Sequence, residues 1–231
     1  MGCMTGTSLD GLDCSLVLVN GNSVESIECN VLTTISLPFP ALLQKALRDF
    51  SSQIPMTSKE ISQLASDFTD FHIEGIKQLL TNKDDDDLTV DLIAVHGQTV
   101  YHCPPISWQL FTPARLVKEF NTKVVCDLRS MDLAYNGNGA PITPLADYIL
   151  FRDKLGLKSR AIVNLGGFIN ITFLAKPNTI DSISGKDVCA CNQILDLIAR
   201  KRLHKNYDND GYSLTHLLTH SCLHCVTYYL I

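Results

Sequence analysis

The chain has 231 residues, 45% of them hydrophobic and 19% charged, which is enough apolar material for a core in one large or two small domains and excludes disorder for most of its length. A formal net charge of -5 offers no basic field to nucleic-acid phosphates or an anionic membrane surface, no apolar run approaches the roughly 20 residues that span a bilayer, and no signal-peptide pattern opens the chain, so a cytoplasmic protein with a small soluble ligand is expected. Nine scattered cysteines read as small buried hydrophobes in a reducing compartment and not as a disulfide framework.

A glycine-rich opening leads into residues 12–19, which alternate and then run apolar as a strand does; Asn20-Gly21 is a hairpin turn, and residues 24–32 suit a second strand. Residues 40–50 and 58–81 carry apolar side chains at helical spacing, with Ser58, Glu60 and Ile61 at the entry of the second helix. The run Lys83-Asp84-Asp85-Asp86-Asp87 lacks the spaced ligands and closing Glu of a calcium loop and reads as a solvated turn. Residues 90–95 form a buried strand ending in His96-Gly97-Gln98-Thr99, and residues 123–126 another ending in Asp127-Leu128-Arg129. Each delivers polar groups at its carboxyl end, where open α/β sheets place their ligands. A Gly/Pro-rich loop over 136–144 precedes a helix to about Lys154 and a polar link at Lys158-Ser159-Arg160. Beyond it, residues 160–165 and 170–175 read as strands around Gly166-Gly167, and residues 192–203 as a helix. The elements describe an α/β chain with a candidate domain boundary at that polar link.

The opening carries the first chemistry. In Gly6-Thr7-Ser8-Leu9-Asp10-Gly11-Leu12-Asp13 the glycines let backbone N–H groups approach phosphate oxygens, the hydroxyls of Thr7 and Ser8 add donors, and Asp10 or Asp13 can hold a magnesium shell or orient a nucleophile; an ordinary glycine turn is the alternative, since the lysine of a P-loop is missing. His96 reads either as a ligand or base or as a hydrogen-bonded structural residue. Arg129 suits a carboxylate or a phosphate, or a salt bridge to Asp132. Asp187 alone is a carboxylate before a helix, where it favours the helix dipole.

Four blocks in order give the chain a specific resemblance. Gly2-Cys3-Met4-Thr5-Gly6-Thr7-Ser8-Leu9-Asp10-Gly11, the run from Ala94 to His102 around His96-Gly97-Gln98-Thr99, the run from Val124 to Arg129 with Asp132 and Gly139-Ala140-Pro141, and the run from Val163 to Thr172 around Gly166-Gly167 resemble the opening, the His-Gly-Gln-Thr strand end, the Asp-Phe-Arg segment with its Gly-Ala-Pro loop, and the Asn-Ile-Gly-Gly-Ile-Ala-Asn hairpin of the anhydro-N-acetylmuramic acid kinases. That family belongs to the actin-like ATPase superfamily, so the resemblance implies a ribonuclease-H-like first domain over 1–157 built on a five-stranded mixed sheet with helices, the start of an incomplete second domain over 158–211, and a tail over 212–231 outside the family pattern. The resemblance implies ATP and magnesium as cofactors, and an anhydro amino sugar as substrate, phosphorylated while water opens its ring. It implies that Gly6, Thr7, Ser8, Leu9, Asp10, Gly11, Leu12 and Asp13, with Gly166 and Gly167, bind the nucleotide. It implies that His96, Gln98, Thr99, Arg129, Asn164 and Asn170 bind the sugar. The family's general base is the Asp of an Asp-Thr-Gly-Pro-Gly-Asn segment, which is similar to Asp187-Val188-Cys189-Ala190-Cys191-Asn192; Asp187 and Asn192 keep their spacing while the Thr and both Gly are replaced.

Departures accompany the matches. The family's Gln-Ile-Gly-Asp is Gln109-Leu110-Phe111-Thr112, and two of its three consecutive arginines are Ser130 and Met131. Tyr207-Asp208-Asn209-Asp210-Gly211 resembles the family's Tyr-Asp-Lys-Asp-Gly, read as a turn or a site, and the family continues from there through a Gly-Gly-Gly-x-x-Asn-Pro stretch without counterpart here. The chain is therefore expected to be the front part of such a kinase. Two readings follow: an active kinase, or a noncatalytic remnant that retains the fold elements. Truncation is expected to expose apolar surface of the second domain and so to favour self-association or a homodimer. His216, His220, Cys222, His224 and Cys225 are zinc-type ligands crowded into the tail, but no supporting fold surrounds them and no metal site is expected.

Overall fold

The computed structural model describes residues 1–81, 89–205, 207, 208 and 211. The chain divides into two compact units, residues 1–162 with 171–186, and residues 163–170 with the described residues from 187 onward.

The first unit is built on the expected five-stranded mixed sheet. Its strands are β1 (Gly2–Thr5), β2 (Gly11–Asn20), β3 (Glu28–Pro38), β4 (Leu92–Val95) and β7 (Lys123–Val125), in the order β3-β2-β1-β4-β7. β1 runs antiparallel to β2, which runs antiparallel to β3, whereas β4 pairs in parallel with both β1 and β7. This is the α/β architecture of the actin-like ATPases. The three parallel strands end at one edge of the sheet, and the polar segments 6–13, 96–99 and 127–129 follow from those ends.

Period-two patterning sets one face of the sheet. Cys3 and Thr5 of β1, Leu12, Cys14 and Leu16 of β2, and Ile93 and Val95 of β4 are buried. Helices α1 (Ala41–Ser51) and α2 (Ser58–Thr81) cover that face. Along α2 the buried set Leu64, Phe68, Thr69, His72, Gly75, Ile76 and Leu79 steps by three and four, the spacing of one helical face. Gly75 lets α2 lie close on the sheet, since a Cβ there would stand 3.0 Å from Leu12 and 3.2 Å from Leu37. The helix covers the 58–81 expected and is entered through a capping box at Thr57: Thr57 N–H donates to Glu60 Oε2 at 2.7 Å, and Glu60 N–H to Thr57 Oγ1 at 3.3 Å.

The second strand starts later than its sequence suggests. Residues 21–27 are a loop in which Ser26 Oγ accepts the N–H groups of Asn22 and Ser23 at 3.1 and 3.0 Å, and this local bonding outcompetes extension at Val24. Elements that were not anticipated include β1, the hairpin of β5 (Gln98–Cys103) and β6 (Ile106–Leu110), and helix α3 (Ala114–Phe120). Helices α4 (Ser130–Ala134) and α5 (Thr143–Phe151) complete the run before β8 (Arg160–Leu165), β9 (Phe168–Leu174) and β10 (Ile183–Ala190), which form a sheet in the order β10-β9-β8 and lead into α6 (Asn192–Leu203).

Candidate functional site

At the end of β1, Thr5 is buried and donates its hydroxyl to the Gly97 carbonyl at 2.9 Å, tying the first polar loop to the second. The chain then turns sharply, with Leu9 N–H on the Gly6 carbonyl at 3.3 Å and Leu9 at φ +56°. That left-handed conformation costs a branched residue about 1–2 kcal/mol. Two contacts hold it: the Leu9 side chain enters the core, and its carbonyl accepts Gln44 Nε2 at 2.7 Å. The anchored Leu9 leaves Thr7, Ser8 and Asp10 exposed. Asp10 Oδ1 accepts the Ser8 hydroxyl at 2.7 Å and the Gly11 N–H at 3.0 Å. Asp13 lies on β2, on the face opposite buried Leu12 and Cys14, and accepts the Ser36 hydroxyl at 2.5 Å.

His96 follows β4 and is 5% exposed. Its backbone N–H donates to the Cys3 carbonyl at 3.1 Å, and its ring Nδ1 lies 2.8 Å from the Gly97 carbonyl. Burial holds its pKa below the ordinary histidine value; the Gly97 carbonyl opposes the shift and the Arg129 charge adds to it. Gln98 is 1% exposed, and its Nε2 reaches the Gly6 carbonyl at 3.3 Å. The buried side-chain oxygens of Gln98, Thr99 and Gln109 have no protein partner, and Thr99 and Gln109 face each other across the hairpin. Three orphaned polar atoms on one stretch of hairpin fit a polar ligand or ordered water there.

After β7, Asp127 sits at φ +55° and accepts the N–H and hydroxyl of Ser130 at 3.3 and 2.7 Å, starting α4. Arg129 points back toward the sheet: Nη2 and Nε lie 2.9 and 3.3 Å from His96 Nε2, and Nη1 donates to the Gly139 carbonyl at 2.6 Å. Asp132, weighed above as its ion-pair partner, accepts the Gly139 N–H at 2.7 Å instead. The first unit thus brings Gly6, His96, Gln98 and Arg129 into one bonded set, joined by Thr5, Gly97 and Gly139, which motif reading left out of the site. Thr5, Gly97 and Gly139 all lie within the resembling blocks, and only the folded contacts mark them as joining residues.

In the second unit, Gly166-Gly167 turns from β8 into β9, and its carbonyls receive the start of α6: Cys191 N–H on Gly167 at 2.9 Å and Asn192 N–H on Gly166 at 3.1 Å. Asn192 Nδ2 adds a bond to the Leu165 carbonyl at 3.1 Å. Asn164 is exposed and Asn170 half-buried on the flanks of the turn; Asp187 is exposed on β10, inside a strand and not in a loop before the helix. Gly211 N–H donates to the Asp208 carbonyl at 3.2 Å. A cavity of about 290 Å³ lined by Glu28, Tyr148, Arg152 and Asn178, among others, lies elsewhere in the first unit and holds none of these residues. The acidic run 83–87 and the His/Cys tail lie outside the described residues. Among the described residues no group of three or more His, Cys, Asp or Glu could hold a metal ion, and no helix is long and apolar enough to cross a membrane.

The turn at 6–10 fits a triphosphate and its magnesium shell: it presents two hydroxyls and a carboxylate outward, and a Cβ on Gly6 would stand only 3.1 Å from Ser8 Oγ. Comparison with known proteins bears on the same blocks. A family model described as Anhydro-N-acetylmuramic acid kinase matches residues 1–216. Proteins of that name from Bacillus cereus (strain AH820) and Bacillus anthracis (strain A0248) are 32% identical over 222 residues, covering 91% of this chain and 56% of theirs. That from Bacillus thuringiensis subsp. konkukian (strain 97-27) is 32% identical over 223 residues with the same coverage. The chain thus spans little more than half the length of the curated relatives it matches.

Proposed function

The chain belongs to the anhydro-N-acetylmuramic acid kinase family, and from that premise we propose that it contributes to ATP-dependent phosphorylation of 1,6-anhydro-N-acetylmuramic acid, with ring opening to N-acetylmuramic acid 6-phosphate. The observation that carries this reading is the convergence of the ends of β1, β4 and β7 on one hydrogen-bonded set: Thr5 on Gly97, Gln98 on Gly6, and Arg129 on His96. Three strands that deliver polar residues to one edge favour a ligand site at that edge, which an ordinary glycine turn does not need.

ATP supplies the phosphoryl group when bound. The turn over 6–10, whose Leu9 N–H is already taken by the Gly6 carbonyl, would offer its remaining backbone N–H groups and the Thr7 hydroxyl to phosphate oxygens, Ser8 is oriented by Asp10, and Asp10 or Asp13 would hold the magnesium shell. In the first unit Gln98 and Thr99 would hold the sugar, their orphaned side-chain oxygens taking up its hydroxyl or amide protons. Neutral His96 orients the Arg129 guanidinium toward the sugar's carboxylate. The Asp187 carboxylate takes the proton of the water that opens the anhydro ring.

The test is sugar-dependent ADP formation by this chain and by Asp187→Asn, with 18O-labelled water. Turnover with label at the anomeric carbon, lost in Asp187→Asn, is the expected result. Equal background in both proteins refutes catalysis by this chain and leaves the noncatalytic reading.

A further inference from the structure

Asp132 is exposed on α4, yet its carboxylate is engaged inward, with Oδ2 accepting the N–H of buried Gly139 at 2.7 Å. Gly139's own carbonyl accepts Arg129 Nη1 at 2.6 Å, so one residue's backbone is gripped from both sides. The surrounding loop is shaped to that grip. A Cβ on Gly137 would fall 2.2 Å from Asp132 Oδ2, and Gly139 sits at φ +65° with Leu133 2.9 Å from where a Cβ would stand. Gly137 N–H also bonds the Asp132 carbonyl at 2.8 Å, so the loop closes on both ends of the residue.

We propose that Asp132 is a positioning residue for the sugar site: through Gly139 it fixes the plane of Arg129, and through Arg129 the Nδ1–H tautomer of His96. A cap that served the loop alone would require the Gly139 N–H to be bonded, but not the Gly139 carbonyl to face the guanidinium. The chain from Asp132 through Gly139 and Arg129 to His96, and from His96 to Gly97 and Thr5, runs from the loop after β7 to the end of β1. Groups that must meet a ligand within fractions of an ångström are held by such supporting shells. What the carboxylate supplies here is an acceptor oxygen and not charge, so an amide at the same position keeps the function. The consequence for sugar affinity rests on the proposed site, whereas the ring geometry does not.

The test is the 1H–15N correlation spectrum of the His96 imidazole in the full chain, paired with calorimetric titration of 1,6-anhydro-N-acetylmuramic acid. The unaltered protein is expected to show the Nδ1–H tautomer alone. Asp132→Ala is expected to move the ring toward the Nε2–H tautomer and to weaken sugar binding about tenfold; Asp132→Asn is expected to restore both. Gly137→Ala drives a methyl against the carboxylate and is expected to reproduce the Asp132→Ala spectrum, which keeps the question open to test if the first variant does not fold. An unchanged His96 spectrum in the folded variants overturns the proposal, as does a changed spectrum that Asp132→Asn leaves altered. Absence of sugar binding even in the unaltered protein refutes the sugar site, while the tautomer still decides the positioning role.

Discussion

Arg129 directs two nitrogens at a single nitrogen of His96, Nη2 at 2.9 Å and Nε at 3.3 Å from Nε2. A guanidinium has no acceptor and keeps its charge, so Nε2 must accept. The ring is therefore neutral and carries its proton on Nδ1, where the Gly97 carbonyl takes it at 2.8 Å. Replacing Arg129 by Met leaves a buried ring nitrogen without its donor. The expected loss is about 1–3 kcal/mol in urea unfolding, together with a His96 pKa that rises because a nearby positive charge has gone.

Acid should unfold this protein through its buried histidines. His72 is fully buried beside Phe68 and Phe111, and burial holds its pKa at about 4 against a hydrogen bond to the Phe68 carbonyl that works the other way. The folded value is depressed, so the stability is complete above the unfolded value near 6.5 and is lost as pH falls from there toward 4. The loss is about 3 kcal/mol over that window. His72→Leu should flatten the pH dependence of the urea midpoint between pH 6.5 and 4.

Two glycines of the opening should respond oppositely to a methyl group. A Cβ on Gly11 would lie 2.2 Å from the Leu37 carbonyl oxygen, a backbone atom of the paired strand, whereas a Cβ on Gly2 would meet nothing within 4 Å. Gly11→Ala should cost about 3 kcal/mol by chemical unfolding, and Gly2→Ala should stay within about 0.5 kcal/mol of the unaltered chain.

The turn at Ser8 and Asp10 tests the nucleotide side. Both side chains are exposed, and their mutual bond lies outside the core. Asp10→Ala should abolish any rise in melting temperature produced by magnesium and ATP, while moving the melting temperature without nucleotide by no more than about 2 °C. A nucleotide response that survives the substitution would remove Asp10 from the site.

Much of this fold is legible in residue patterns, because the sheet and its covering helices are set by where apolar side chains fall. Leu12, Cys14 and Leu16 announce β2, and the three-and-four steps of Leu64, Phe68, His72, Ile76 and Leu79 announce α2. β1 is not legible: four residues beginning with glycine acquire strand structure only from partners on both sides, Leu12 to Ser15 and Ala94 to Val95. Likewise Asp187 reads as a residue ahead of a helix, yet it lies within β10, beside β9 in the sheet. The candidate site divides in the same manner. His96 and Arg129 stand out singly, but their bond joins residues 33 positions apart, and nothing in either motif shows that one orients the other.

The proposed sugar site stands or falls on titration of the chain with 1,6-anhydro-N-acetylmuramic acid while following the His96 imidazole resonances. A saturable shift, absent in Arg129→Met, is the predicted result. His96 signals that stay in place at millimolar sugar, in protein whose fold is intact, would contradict it.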